Sequence, residues 1–336
     1  MSKSDFAGDT VQEMKQKAVL TLTEAINTLY DGPCQNMDLP YISELPSSSP
    51  RRSLLVAAHS NGVTEFLLKE NPTKSRQWSM EERSLPFEKH GYCSLKMVPL
   101  ERVVYIASGH HYGVQLLNYD NPSEYKRVSI STKLHLSTGF RTFGVVPCSS
   151  ALDTLLLASH SELGVLRIPL EEFLGRDTLT INHQKDDFFL WKKQNDALQR
   201  IRLAVHGTFI YFSCGKSVYR SDSRSDYRSQ IKKIRELPEA VSALTVDDTG
   251  RLFLGTEEGK IYRGDTLYYD LQRHAYIQKI QPVLRNEKGT SKREVLFTTW
   301  TNGAYSSVSS TDGNTCTVVS SGDLTEQVQD FHYDGK

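Results

Sequence analysis

At 336 residues, with 40 Lys+Arg against 40 Asp+Glu, the chain is long enough to bury a large core and has no formal net charge. That balance excludes a broad electrostatic attraction to nucleic acid or to an anionic membrane and leaves only local basic patches. Cys34, Cys93, Cys148, Cys214 and Cys316 stand singly with no CxxC pair, which argues against a zinc site or a secreted disulfide framework and for free thiols in a reducing compartment.

The first residues are polar and include an acid, unlike a signal peptide, and no window reaches the roughly 20 apolar residues of a membrane-crossing helix. The expectation is a soluble intracellular protein, cytoplasmic and/or nuclear. In residues 11–30, Met14, Ala18, Leu22, Ile26 and Leu29 recur at three- and four-residue intervals, which predicts a short amphipathic helix closed by Asp31-Gly32-Pro33. A Ser/Pro linker, PSSSPRR, occupies residues 46–52. Residues 1–50 are thus read as an N-terminal helix and linker, and residues 51–336 as one all-β domain.

From residue 53 onward one grammar repeats: an apolar or β-branched run, a Gly or Asp turn, and a second run. The first unit is SLLVAA (residues 53–58), an HSNG turn and VTEFLL (63–68), with an outer strand near residues 77–85. The second has residues 93–98, VVYIAS (103–108), GVQLLNY (113–119) and residues 125–130. The third has residues 142–146, TLLLAS (154–159) and GVLRI (164–168). A longer insertion (169–199) follows, in which LEEFLG suggests one helical turn and FFLWKK an outer strand.

The fourth unit is residues 201–205, TFIYFS (208–213), residues 217–220 and an outer strand near residues 230–237. The fifth, residues 241–265, reads VSALTVDDTGRLFLGTEEGKIYRGD, with residues 268–276 beyond it. The sixth has residues 280–284, EVLFTT (294–299), a WTNG turn and residues 304–309 and 315–320. Gly62, Gly113, Gly164, Gly259 and Gly303 mark the turns, with the fourth unit's Gly215 close to its expected place, at intervals of about 44 to 51 residues, the long end of the range for propeller blades.

The predicted fold is an all-β propeller of six four-stranded blades, with seven as the alternative. The tail, VQDFHYDGK (residues 328–336), looks like an innermost strand with nothing after it. It either closes the ring on SLLVAA, removing two open edges, or joins a partial seventh blade or one supplied by another chain while residues 35–45 complete the first unit.

The units resemble WD40 repeats in degenerate form. Asp265 in KIYRGD, Asp222 in SVYRSD and Asp120 in LLNYD sit where that repeat's closing Asp falls, while the Trp before it is replaced. The usual Gly-His is missing too, apart from a reversed His206-Gly207. The resemblance implies an interaction platform without catalysis of its own, a subunit of a larger complex that binds a protein or peptide through one face.

His59, His110, His111 and His160 fall in the turn after the second strand of the first three units, an arc along one rim. Zinc needs ligands at about 2.0 to 2.1 Å, far closer than equivalent positions on adjacent blades, so turn capping or rim contact is the expected role and no metal is expected. Trp300, on the same face, is the best aromatic anchor for a partner. Arg220, Arg224 and Arg228 begin a run, RSDSRSDYRSQIKKIR, that suits an acidic partner, phosphate or RNA, or serves as a charge-guarded outer edge.

No GxSxG elbow, GxGxxG or GxxxxGK[ST] occurs, and the one Arg-Arg pair, Arg51-Arg52, lacks the context of lipid-binding propellers. No cofactor and no catalytic residue are assigned. The rival readings are a propeller enzyme acting on a small molecule and a nucleic-acid-associated subunit using residues 220–235.

Overall fold

A computed structural model describes residues 36–38, 52–59, 62–70, 78–86, 94–99, 104–110, 113–119, 121, 123–132, 136, 139–146, 154–184, 188–193, 199–223, 231–287, 290–301, 304–305 and 308–318. They divide into two compact units. The first holds described residues up to 110 and Val114–Tyr125, and the second holds Gly113 and those from Lys126 onward. The helix expected in residues 11–30 lies outside the described residues.

In the first unit, β1 (Asn36–Asp38), β2 (Arg52–His59), β3 (Gly62–Glu70) and β4 (Trp78–Ser84) form an antiparallel sheet in that order. β5 (Ser94–Pro99), β6 (Val104–His110) and β7 (Gly113–Asn118) follow as neighbours in a second sheet. The first sheet corrects the ring-closure expectation. β2 has β3 on one side, and its other side is taken by β1 through Asn36↔Ala58, Met37↔Ala57 and Asp38↔Val56, so residues 35–45 supply the innermost strand. Three residues are too few to show an alternation, which is why NMD carried no strand signal. The tail lies outside the described residues.

In the second unit, β8 (Tyr125–Ser131) is followed by a sheet of β9 (Phe140–Val146), β10 (Leu155–His160), β11 (Gly164–Pro169) and β13 (Phe189–Lys192). The insertion before β13 does contain the expected helical turn, α1 (Leu170–Leu174). It also contains an unexpected strand, β12 (Thr178–Asn182), which runs parallel to β8 from Thr178↔Arg127 to Asn182↔Ser131. Next comes the sheet β14 (Ile201–His206), β15 (Phe209–Cys214), β16 (Ser217–Asp222) and β17 (Lys232–Glu236). A further sheet is β18 (Val241–Val246), β19 (Leu252–Thr256), β20 (Lys260–Arg263) and β21 (Thr266–Asp270). The last is β22 (Tyr276–Glu287), β23 (Thr290–Thr301), β25 (Ser309–Thr311) and β26 (Cys316–Val318), with β24 (Ala304–Tyr305) beside β23.

β22 and β23 are longer than expected. Their ladder runs from Tyr276↔Trp300 to Glu287↔Thr290, whereas β25 pairs only with Val295, Leu296 and Phe297. The hairpin therefore outruns its own sheet. Its far half, RNEKGTSK, has no apolar alternation and so gave no strand signal.

The sheets of this unit are propeller blades because each is the hydrophobic wall of the next. The innermost strands β9, β14, β18 and β22 lie side by side in that order. Val146, Leu157 and Val165 of one blade bury themselves against Leu203, Ile210 and Phe212 of the following one. Val218 and Leu237 then meet Val241 and Leu254, while Phe253 and Ile261 meet Ile277, Val295 and Phe297. Each such side chain contributes about 1.5–3 kcal/mol by leaving water. The fold class is thus the predicted all-β propeller type.

The turn glycines have a physical reason for their period. Gly164 has φ +122, and a Cβ there would sit 2.2 Å from the Trp191 carbonyl oxygen of β13. Gly259 has φ +83, and its Cβ would fall 2.7 Å from the Arg273 carbonyl oxygen. In both places the chain turns where the outermost strand or its exit passes too close for any side chain.

The DDTG turn is held by one carboxylate. Asp247 Oδ1 accepts from the Thr249 N–H (2.9 Å), the Thr249 hydroxyl (2.7 Å) and the Arg251 N–H (2.8 Å). Burial opposes ionisation of Asp247, but the Thr249 hydroxyl, the Arg251 and Thr249 N–H groups and the nearby Arg293 guanidinium outweigh it and hold the carboxyl below its ordinary value. A depressed folded pKa contributes stability that is complete above the unfolded value of about 3.9 and is lost as pH falls through the lower folded value. Asp247→Ala is expected to cost about 1–3 kcal/mol at neutral pH. The difference from the native chain should shrink as urea melts are taken below about pH 3.9. A difference that stays constant down to acid pH contradicts this role.

Candidate functional site

The four blades of the second unit bring their strand ends to one rim. The first residue of each inner strand pairs with the end of the next strand: Phe140↔His160, Ile201↔Cys214, Val241↔Thr256 and Tyr276↔Trp300. On this rim or one residue inside it runs a row of buried hydroxyls, Ser159, Ser213, Thr256 and Thr299. Ser159 Oγ accepts from the Thr142 N–H (3.2 Å) and donates to the Ile201 carbonyl of the next blade (3.2 Å). Thr256 Oγ1 accepts from the N–H groups of Glu258 (3.3 Å) and Lys260 (3.1 Å) and so shapes the EEG turn. The signal was present in TLLLAS, TFIYFS, LFLGT and VLFTT, whose runs each end in a hydroxyl residue. Reading them for β propensity alone passes over it.

His160 is fully buried, so of its two expected roles it serves turn capping and not rim contact with a partner. Its Nδ1 accepts from the Glu162 N–H (3.2 Å), and its ring stands edge-on to Phe140 with centroids 5.0 Å apart. It caps the turn. His59 and His110 are the last residues of β2 and β6, strand ends rather than turn residues. His111, Arg224 and Arg228 lie outside the described residues. Among the described residues, no group of three or more His, Cys, Asp or Glu side chains is arranged to hold a metal ion.

Trp300 does reach solvent, with 41% of its surface exposed, although it belongs to β23 and not to the turn. Its ring meets Tyr276 edge-on, 6.5 Å between centroids at 89°. Over the Tyr276 ring, 4.2 Å from its centroid, lies the guanidinium of the exposed Arg200, immediately before β14. Tyr276 itself is only 9% exposed, and its hydroxyl is buried without a hydrogen-bond partner, as is that of Thr301 next to Trp300. Leaving such a group unpaired costs about 1–3 kcal/mol, so the cluster carries unspent hydrogen-bonding capacity. No ion pair joins Arg200 to a carboxylate among the described residues. The sequence reading missed Arg200 and Tyr276.

The basic strip divides. Arg220 is exposed on β16 with its guanidinium 5.1 Å from the Phe209 ring centroid. Arg235 lies over Tyr262 at 4.8 Å and donates to the Asp265 carbonyl (3.3 Å). Tyr262 donates to Glu239 (3.3 Å), which also pairs with Lys260, and Lys233 pairs with Glu236. This end of the strip is a charge-guarded outer strand whose Lys233 and Arg235 are engaged within the molecule. Burial also pushes the Cys214 thiol up, so that residue is no poised nucleophile.

The class defined by these blades is the β-propeller. Three solved structures are similar to the chain. One, described as "Crystal Structure of Mitotic Checkpoint Complex", has a TM-score of 0.46 and 12% identity over 78% of this chain and 72% of that one. The WD40 β-propeller domain of Doa1 has a TM-score of 0.43 and 10% identity, covering 80% and 90%. BBS1N, solved in complex with ARL6DN, has a TM-score of 0.44 and 10% identity, covering 82% of each chain. No family model and no curated protein matches the chain.

Proposed function

We propose that this protein is a non-enzymatic propeller scaffold that binds a protein or peptide across the rim where the inner strands of its second unit begin. The observation carrying this reading is Trp300, a large aromatic left 41% exposed on a strand end whose equivalent, His160, is buried. Exposed Trp beside Arg is the composition of binding hot spots, each commonly worth about 2 kcal/mol or more. The described residues offer binding groups on this rim.

Affinity purification of the full chain against its Trp300→Ala variant tests the reading. One set of co-purifying proteins should be lost with the variant, whose urea midpoint should stay near that of the native chain. An unchanged set would remove the rim from consideration. Turnover of a hydrolase or lactonase substrate panel would overturn the non-enzymatic assignment.

A further inference from the structure

We infer that Arg200, Tyr276 and Trp300 form a site for an acidic side chain within an extended peptide, the carboxylate meeting the guanidinium and the flanking residue covering the indole. The inference rests on the proposed scaffold function and names the chemistry its partner must present. Arg200 and Trp300 come from blades that are not neighbours in the row β14, β18, β22, and Tyr276 is the piece that joins them. The guanidinium lies over the phenol ring, 4.2 Å from its centroid, and that contact restrains a fork of N–H donors that otherwise turns freely.

Two things make this an anion site and not mere packing. The exposed cation has no carboxylate partner among the described residues. The Tyr276 hydroxyl, on a side chain more than nine-tenths buried, belongs to the same ring and has no hydrogen-bond partner. A carboxylate drawing the guanidinium aside would find that phenol as a second donor, and charge-assisted bonds of this kind are about twice as strong as neutral ones. The rim runs on past both ends of the cluster, through Gln199 on one side and Thr301 and Ala304 on the other. A passing chain with an internal Asp or Glu therefore fits better than a chain end.

The test is a fluorescent peptide library, blocked at both termini, with a central Glu, Gln or Lys and randomised neighbours, titrated onto the full chain. Glu peptides should bind at least tenfold tighter than Gln peptides, with apolar residues enriched beside the Glu and Lys peptides excluded. Arg200→Gln should abolish the Glu preference, and Arg200→Lys, which keeps the charge but not the flat fork, should reduce it severalfold. Tyr276→Phe, which keeps the platform and removes the proton, should weaken Glu binding about threefold to tenfold. Equal binding of Glu and Gln peptides overturns the inference, as does a Glu preference surviving Arg200→Gln or equal binding of a peptide whose sole acid is its free C-terminus. If Trp300→Ala loses the co-purifying partner while Arg200→Gln retains it, the scaffold stands and the carboxylate assignment falls. If neither variant changes what is bound, both fall.

Discussion

Gly255→Val should lower stability by on the order of 3 kcal/mol, read as a drop in the urea midpoint with little change of slope. A Cβ at Gly255 would lie 2.5 Å from Ile277 Cγ2, 2.7 Å from Ile277 Cβ and 3.2 Å from Ala243 Cβ. β19 is thus seated directly against the neighbouring inner strand β22, with no room for a methyl group. The branched Ile277 is stiff at χ1 and cannot swing aside cheaply. Ile277→Ala alone should cost about 2–5 kcal/mol by leaving a cavity. Combined with Gly255→Ala it should cost less than the sum of the two, because one change fills what the other empties, with a coupling of about 1 kcal/mol. Simple additivity of this pair would mean that the two blades do not press on each other at that point.

Phe212→Ala should cost about 3–5 kcal/mol. Phe212 is fully buried, stacked on Tyr219 with centroids 5.0 Å apart and planes 13° apart, and 5.4 Å from Trp191. It therefore joins β15 and β16 of one blade to β13 of the blade before. Aromatic pairs of this kind add about 0.5–1.5 kcal/mol beyond the area they bury. Phe212→Leu should recover most of the loss, leaving under about 1.5 kcal/mol. Trp191 gives a second reading, since its fluorescence should move to the red in the Ala variant as water reaches the vacated space. An unshifted spectrum with unchanged stability would show that the wall between these blades is built elsewhere.

The middle strands of each blade were the most legible elements, and for a physical reason. TLLLAS, TFIYFS and EVLFTT are buried largely on both faces between neighbouring blades, so they read as near-continuous apolar runs, and the first two are followed by positive-φ turn glycines, Gly164 and Gly215. LEEFLG and FFLWKK were legible by the same local rules. β1 and β12 were not. One is three residues long, and the other, TLTIN, does alternate polar and apolar residues but was passed over, and only its parallel pairing with β8 has no local mark. The far half of the β22–β23 hairpin has no apolar face to give it away.

The site was legible by residue type and not by geometry. Trp300 stood out as a large aromatic on the rim, whereas a histidine at a strand end can face water or fold inward. At His160 the Phe140 ring opposite and the Glu162 N–H hold the imidazole inward. Arg200 and Tyr276 were invisible as a pair because 76 positions of chain separate them and only the stacking of three inner strands brings them together.

The insertion that carries β12 has a consequence for how the molecule behaves among copies of itself. An outermost strand offers a row of unsatisfied amide and carbonyl groups on which a foreign strand can grow. At β8 that row is already occupied by the protein's own chain, all the way from Arg127 to Ser131. The open edge thereby passes from the seven-residue β8 to the five-residue β12, and the shorter edge offers a foreign strand less to pair with.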